Sequence, residues 1–325
     1  MPGFTTHYIF GMKAYNDMPN NQLKRIAAKY RWLYQLGLQG PDIFFYNIPV
    51  LRHRDYRNVG SYMHEYHVGE FFKCCLKHID TISSKQQREE AIAYFAGFLN
   101  HYMADYICHP FIYARIGYDT KNPNAKHPGS HAALENELDA ILLKRYKQKK
   151  PSEFNQTASI CLNGQELQFI SHFLSDCINE TYYPLNGTNK YQVTPAMVHR
   201  SIWALRFGCR TLADKSGIKK NSIEFVESLF LKNPIASAKV VTDTINDYQK
   251  SCNLGHEVWC NPWNLSMAST QSFVDLFHQT LAKCSLVYYY LNVCTSNSYP
   301  MNQGHVDALL NELGNYSYHS GLPVL

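Results

Sequence analysis

The chain of 325 residues lacks any uninterrupted apolar run near the roughly 18 residues that a membrane-spanning helix needs. It also lacks the marks of an export leader. MPGFTTHYIFGMKAY has no basic start, no long apolar stretch and no small-residue cleavage site. Charge of one sign is scarce: 31 Lys and Arg against 26 Asp and Glu leave +5, too mild for a nucleic-acid-binding surface. Paired cysteine spacings are absent. Cys74 and Cys75 are neighbours, and Cys108, Cys161, Cys177, Cys209, Cys252, Cys260, Cys284 and Cys294 are scattered. Without an export signal they read as reduced, mostly buried thiols rather than a disulfide frame, and the expected location is cytoplasmic. Strand-length alternation is scarce, and internal repeats and low-complexity tracts are missing.

What is present is an apolar fraction of 45% with 14% aromatic residues, enough for a packed core. Leu23, Ile26, Ala27, Tyr30, Leu33 and Tyr34 form a helical stripe that ends at Gly37. The glycines and prolines of GLQGPDIFFYNIP predict an irregular loop. Further helices are predicted from about Gly60 to Ile79, from about Lys85 to Cys108 with Pro110 as the stop, and from a Ser130 cap to about Tyr146. Thr194-Pro195 opens another, through Trp203 and Cys209. More are expected near 165–180, 234–251, 268–294 and 302–313. The basic run KRYKQKK closes the helix before Pro151, where cations suit the macrodipole; an anionic membrane contact is the sharper reading. The chain therefore reads as all-α, one multi-helix domain over 1–325.

Within AIAYFAGFLNHYMADYICHPF, His101, Asp105 and His109 recur at i, i+4 and i+8, so one helix face carries all three. Their neighbours are apolar or aromatic, so the face points into a core. Two imidazoles and a carboxylate desolvated together are costly unless something binds them, and a divalent metal answers most simply. In HPGSHAALENELD, His131 and Glu135 repeat the i, i+4 spacing, with Asp139 further along and His127 in the loop before. Weaker candidates are Asp42 in GPDIFF, His64 and His67 in GSYMHEYHVGEFF, and His7 in FTTHYIFG. Imidazole mixed with carboxylate and no thiolate suits Zn²⁺, with Mn²⁺ or Fe²⁺ as alternatives. Cys108 sits about 100° away from His109 on a helix and reads as packing. His53, His78, His172, His199, His256, His278, His305 and His319 have no ligand-spaced partner nearby and read as surface or core residues. A loop with Trp259 and Trp263 could border a pocket, though such loops more often only pack.

On these motifs residues 1–150 resemble the zinc-dependent phospholipase C family, in its unsecreted form, whose fold is shared with P1-type nucleases; 151–325 would supply supporting helices. The resemblance implies one zinc held by Asp42, His64, His101 and Asp105. It implies a second at His109, His131 and Glu135, and a third using His7 and the bridging carboxylate of Asp105. Asp42 would also serve as the general base. The implied activity is phosphodiester hydrolysis of phospholipase C type by a zinc-activated water, on a phospholipid or a small phosphodiester, with peripheral membrane contact possible. Nuclease or phosphomonoesterase action on the same scaffold, or purely structural metals, are the competing expectations. The tyrosines fall mostly on helical stripes rather than in a base-binding clamp.

Overall fold

A computed structural model describes residues 3–46, 58–121, 128–183, 192–212, 214, 218–228, 237, 240–296 and 299–324. His53 and His127 lie outside them. Helices dominate: α1 Phe4–Asp17, α2 Gln22–Lys29, α3 Arg31–Gly37, α4 Val59–Glu65, α5 Val68–Thr81, α6 Lys85–Arg115, α7 Pro128–Lys147 and α8 Gly164–Tyr182. They are followed by α9 Pro195–Leu212, α10 Ile218–Ser228, a single turn α11 Tyr248–Ser251, α12 Phe273–Ser296 and α13 Gln303–Leu313. The all-α expectation holds, with one short antiparallel hairpin, β1 Trp259–Asn261 and β2 Asn264–Ser269, as the exception among the described residues. None of the described helices is long and apolar enough to cross a membrane.

Helix α6 is the axis. Its 31 residues span about 46 Å at 1.5 Å per residue. From Glu90 to Asp105 every residue is buried, because α1, α2, α3, α5, α8 and α12 all pack around it. Close approach is set by glycine. A Cβ on Gly37 would fall 2.1 Å from the Tyr94 carbonyl oxygen, and one on Gly97 would fall 2.1 Å from that of Tyr34. Thus α3 and α6 cross in backbone contact, and the segment leaving α3 is delivered directly over His101. The main apolar cluster takes in residues from Ala14 to Tyr318 and draws on both halves of the sequence.

The structure departs from the predicted elements where local chemistry overrides periodicity. The 23–34 stripe is two helices, since Tyr30 takes a non-helical conformation (φ −110°, ψ 46°). The predicted 60–79 helix breaks at Tyr66–His67, where His67 adopts a left-handed φ of 50°. The loop after Gly37 contains a 3₁₀ helix, Gly40–Tyr46. Pro110 does not end α6, which runs on to Arg115. Its ring removes the N–H that would meet the Tyr106 carbonyl, and Gly321 packs there so closely that a Cβ would stand 2.5 Å from that oxygen. The helix predicted near 234–251 is reduced to α11 among its described residues. There Asp243 instead accepts hydrogen bonds from the Ser152 amide (2.8 Å) and hydroxyl (2.6 Å) across the chain. The missed hairpin turns on Asn261, whose side chain accepts from the Trp263 amide at 3.0 Å.

Candidate metal centre

Five separate elements deliver the eight residues singled out in the sequence. His7 comes from α1, Asp42 from the 3₁₀ helix and His64 from α4. His101, Asp105 and His109 stand on α6, and His131 and Glu135 on α7. His7, His64, His101, Asp105 and His109 are wholly buried, and Asp42 is 3% exposed. Local devices hold them. Gly40, at φ 49°, passes so close to His101 that a Cβ would lie 2.3 Å from its ring. Asn58 caps α4 by accepting from the Gly60 amide at 2.8 Å. Asp139, further along α7, is buried and accepts from the Thr5 and Thr6 amides at 3.1 and 2.8 Å. It thereby secures the first turn of α1, on which His7 rides.

Two groups result. Asp42, His64, His101 and Asp105 each offer one ligand atom, all mutually within 4.8 Å; His109, His131 and Glu135 do the same. In the first, His64 Nε2 stands 3.2 Å from Asp42 Oδ1 and 3.6 Å from Asp105 Oδ2, while His101 Nε2 stands 3.2 Å from Asp105 Oδ2 and 3.8 Å from Asp42 Oδ1. Ligands about 2.0–2.1 Å from a tetrahedral zinc are separated by roughly 3.3 Å, so these spacings fit one ion. In the second, His131 Nε2 lies 2.5 Å and His109 Nε2 3.9 Å from Glu135 Oε1. Asp105 joins the parts: its Oδ2 faces His64 and His101, and its Oδ1 faces His7 Nε2 at 3.2 Å. His7 stacks on His101 with ring centroids 4.0 Å apart.

The proton positions favour metal binding. The Nδ1 atoms of His64, His101 and His109 meet the carbonyl oxygens of Gly60, Leu38 and Tyr318 at 2.6, 3.1 and 2.6 Å. A carbonyl only accepts, so each Nδ1 carries a hydrogen and each Nε2 is the atom turned to the centre, the orientation seen in metal-bound imidazoles. Those Nε2 atoms, both Asp105 oxygens, Asp42 Oδ1 and both His7 nitrogens are buried without a hydrogen-bond partner. Orphaned polar atoms converging in this way are costly unless a cation satisfies them. The residues present therefore fit zinc.

Electrostatics agree. Burial alone would raise the Asp105 carboxyl, but His101, His109 and His7 hold it well below the usual range. Burial lowers the His64 imidazole, and the Asp105 and Asp42 carboxylates more than reverse this, raising it to about 9. His109 goes the other way: burial brings it down to about 4. The same carboxylate field that holds a proton on His64 would hold a divalent cation more strongly.

Other expectations are settled by placement. His67, an alternative to His64, faces Tyr182 instead of the cluster. Cys108 packs beside Thr280. Trp259 packs edge-on to Phe111, whereas Trp263 touches Tyr113 and Tyr118 at 4.8 and 5.2 Å, and Tyr113 in turn lies 4.6 Å from the His131 ring. His256 is exposed, facing Thr270. The residue that sequence reasoning missed is His319. Read as surface or core, it lies stacked on His64 (5.2 Å) and 5.7 Å from His109, between the two groups, with Nδ1 3.1 Å from the Tyr113 hydroxyl. Its neighbour Tyr318 donates its amide to the His64 carbonyl and accepts from His109 through its own carbonyl. No local spacing signals this, because the segment is more than 200 positions from its partners.

A deeply buried set of imidazoles and carboxylates in an all-helical fold forms a candidate metal centre. A family model described as zinc dependent phospholipase C matches residues 6–183, which include all eight residues, and the chain belongs to that family. No curated protein and no solved structure matches it.

Proposed function

We propose that the protein is a phospholipase C-type phosphodiesterase that uses two or three zinc ions, cleaving a phospholipid or related phosphodiester with water as the nucleophile. The observation that carries this reading is the two-sided placement of Asp105, one carboxylate oxygen toward His64 and His101 of the first group and the other toward His7. Asp105 would help hold a cation on either side, and the three protein ligands of the second group would leave a position for substrate. Zinc held there supplies Lewis-acid polarisation of the phosphoryl oxygens and makes water a competent nucleophile near neutral pH.

The chain's own residues do the rest. Asp42 orients the attacking water and accepts its proton, which is the role of a general base. The carbonyls of Gly60, Leu38 and Tyr318 fix the imidazoles, and the surrounding aromatic core excludes bulk water. His319 and Tyr113 line the substrate side between the two groups. Peripheral contact with a lipid surface is supported by Val258, Leu265 and Met267, which are exposed on and beside the hairpin that carries Trp263. We also infer that the reaction runs in the cytoplasm, in keeping with ten free cysteines.

Turnover of short-chain phosphatidylcholine, measured against single-stranded DNA and a phosphate monoester with zinc supplied, tests the proposal. Release of a phosphorylated head group and diacylglycerol is the expected result. Cleavage of DNA or of the monoester alone would move the substrate to the nuclease or phosphomonoesterase reading. No turnover by zinc-loaded protein would favour metals with a purely structural role.

A further inference from the structure

A second cluster of metal-ligating side chains stands apart in residue identity and chemistry from the centre above. Cys74 and His78 are spaced i, i+4 on α5 and so share one face. That face packs on α8, which presents Cys177. One ligand atom from each of the three lies within 4.8 Å of the other two. His78 had been read as having no ligand-spaced partner; Cys74 is that partner.

Two further features give this cluster direction. Glu180, one turn beyond Cys177, places Oε2 at 2.8 Å from His78 Nε2, and its other oxygen holds Lys77 Nζ at 2.6 Å. The carboxylate meets the ring at Nε2, and the Cys74 side chain lies in hydrogen-bond reach of the same imidazole; the two contacts outweigh burial and raise it to about 9. A carboxylate behind an imidazole is the arrangement that orients zinc-bound histidines and raises their basicity. Cys74 and Cys177 are buried, while His78 and Glu180 reach toward solvent beside a cavity of about 560 Å³ that Cys74, Glu180 and the acids Glu70 and Asp80 help to line. An ion thus has a way in.

We propose that Cys74, His78 and Cys177 form an additional zinc site, independent of the hydrolytic centre, that staples α5 to α8 with Glu180 orienting the imidazole. Two thiolates and one imidazole suit Zn²⁺, and water from the cavity takes the fourth position. One Zn²⁺ enters, the two thiols each lose a proton to solvent, and the imidazole sheds the extra proton that its Cys74 and Glu180 contacts favour and binds neutral. A nucleophilic role for Cys74 fits less well. Its contact with the Cys177 thiol and its burial both hold the proton on sulfur, so no activated thiolate is at hand.

Cobalt distinguishes this site from the other, whose proposed ligands include no sulfur. Titrating Co²⁺ into the full-length, zinc-stripped chain is expected to produce a thiolate-to-cobalt charge-transfer absorption in the near ultraviolet whose final intensity corresponds to one thiolate-bound cobalt per chain, whatever cobalt the other centre takes up. Cys74→Ser and Cys177→Ser remove the band and one equivalent of bound zinc, while the remaining zinc and any hydrolytic activity stay unchanged. Glu180→Gln weakens cobalt at this site by about 10- to 100-fold. Should a buried cysteine variant fail to fold, His78→Ala, whose side chain is 27% exposed, makes the same test by losing the band at stoichiometric cobalt. Absence of the band in the cobalt-saturated parent chain, or its persistence in Cys74→Ser or His78→Ala, overturns the proposal. Because the band is read without substrate, this result is independent of whether the protein hydrolyses phosphodiesters.

Discussion

Asp105→Asn is expected to cut phosphodiester turnover by roughly a thousandfold, the scale at which one preorganised electrostatic stabiliser matters, while leaving the helices folded. The side chain keeps its size, so the packing of α6 is undisturbed. What changes is charge at a residue of the centre whose two oxygens face different partners, His64 and His101 on one side and His7 on the other. An amide offers a single neutral oxygen, so it cannot serve both sides as an anion. Bound zinc should fall by at least one equivalent together with the activity. By contrast, Glu135→Gln should weaken only the group made with His109 and His131. Unaltered zinc content and turnover in Asp105→Asn would remove the junction from the mechanism.

Acidification should strip the centre in a graded way, and its shape follows from the imidazoles. A metal ligand must bind as neutral imidazole, so protons compete with zinc and affinity falls as pH falls. His64 is raised to about 9 by Asp105 and Asp42 against its burial. From pH 9 downward the metal must therefore displace its proton, and apparent affinity is expected to drop about tenfold per pH unit. Burial lowers His109 to about 4, so its proton competes only in strongly acidic solution. The combined losses are expected to empty the centre below about pH 5, as imidazoles take up protons. Zinc content after equilibration against a fixed chelator across this range checks the slope, with helical circular dichroism followed in parallel. Metal content unchanged at pH 4.5 would contradict it.

Much of this centre is legible in the chain because α6 carries three of its members at i, i+4 and i+8, and α7 carries two at i, i+4. Such spacing survives the reading of a helix whose ends are misjudged, as happened at Pro110. His7, Asp42 and His64 are different: each is a single polar residue in an apolar setting, and only the family resemblance connected them. Their convergence depends on the backbone contact of Gly37 with Gly97 and on the left-handed Gly40, tertiary facts that no periodicity records. His319 was illegible for a related reason. Its segment reaches the centre through hydrogen bonds of Tyr318 to His64 and His109, formed across the whole length of the chain. In the thiolate cluster, half the signal was in view as the Cys74 and His78 pair, and the other half waited on α8. The break at His67 and the hairpin at Asn261 rest on one backbone conformation and one side-chain turn, too local to disturb a helical pattern.

The most direct test of the central claim is a crystal of the zinc-loaded protein measured on both sides of the zinc absorption edge. Anomalous peaks among Asp42, His64, His101 and Asp105 and among His109, His131 and Glu135, with Asp105 between them, are the predicted result. A folded, zinc-saturated chain with no peak in either group would contradict it.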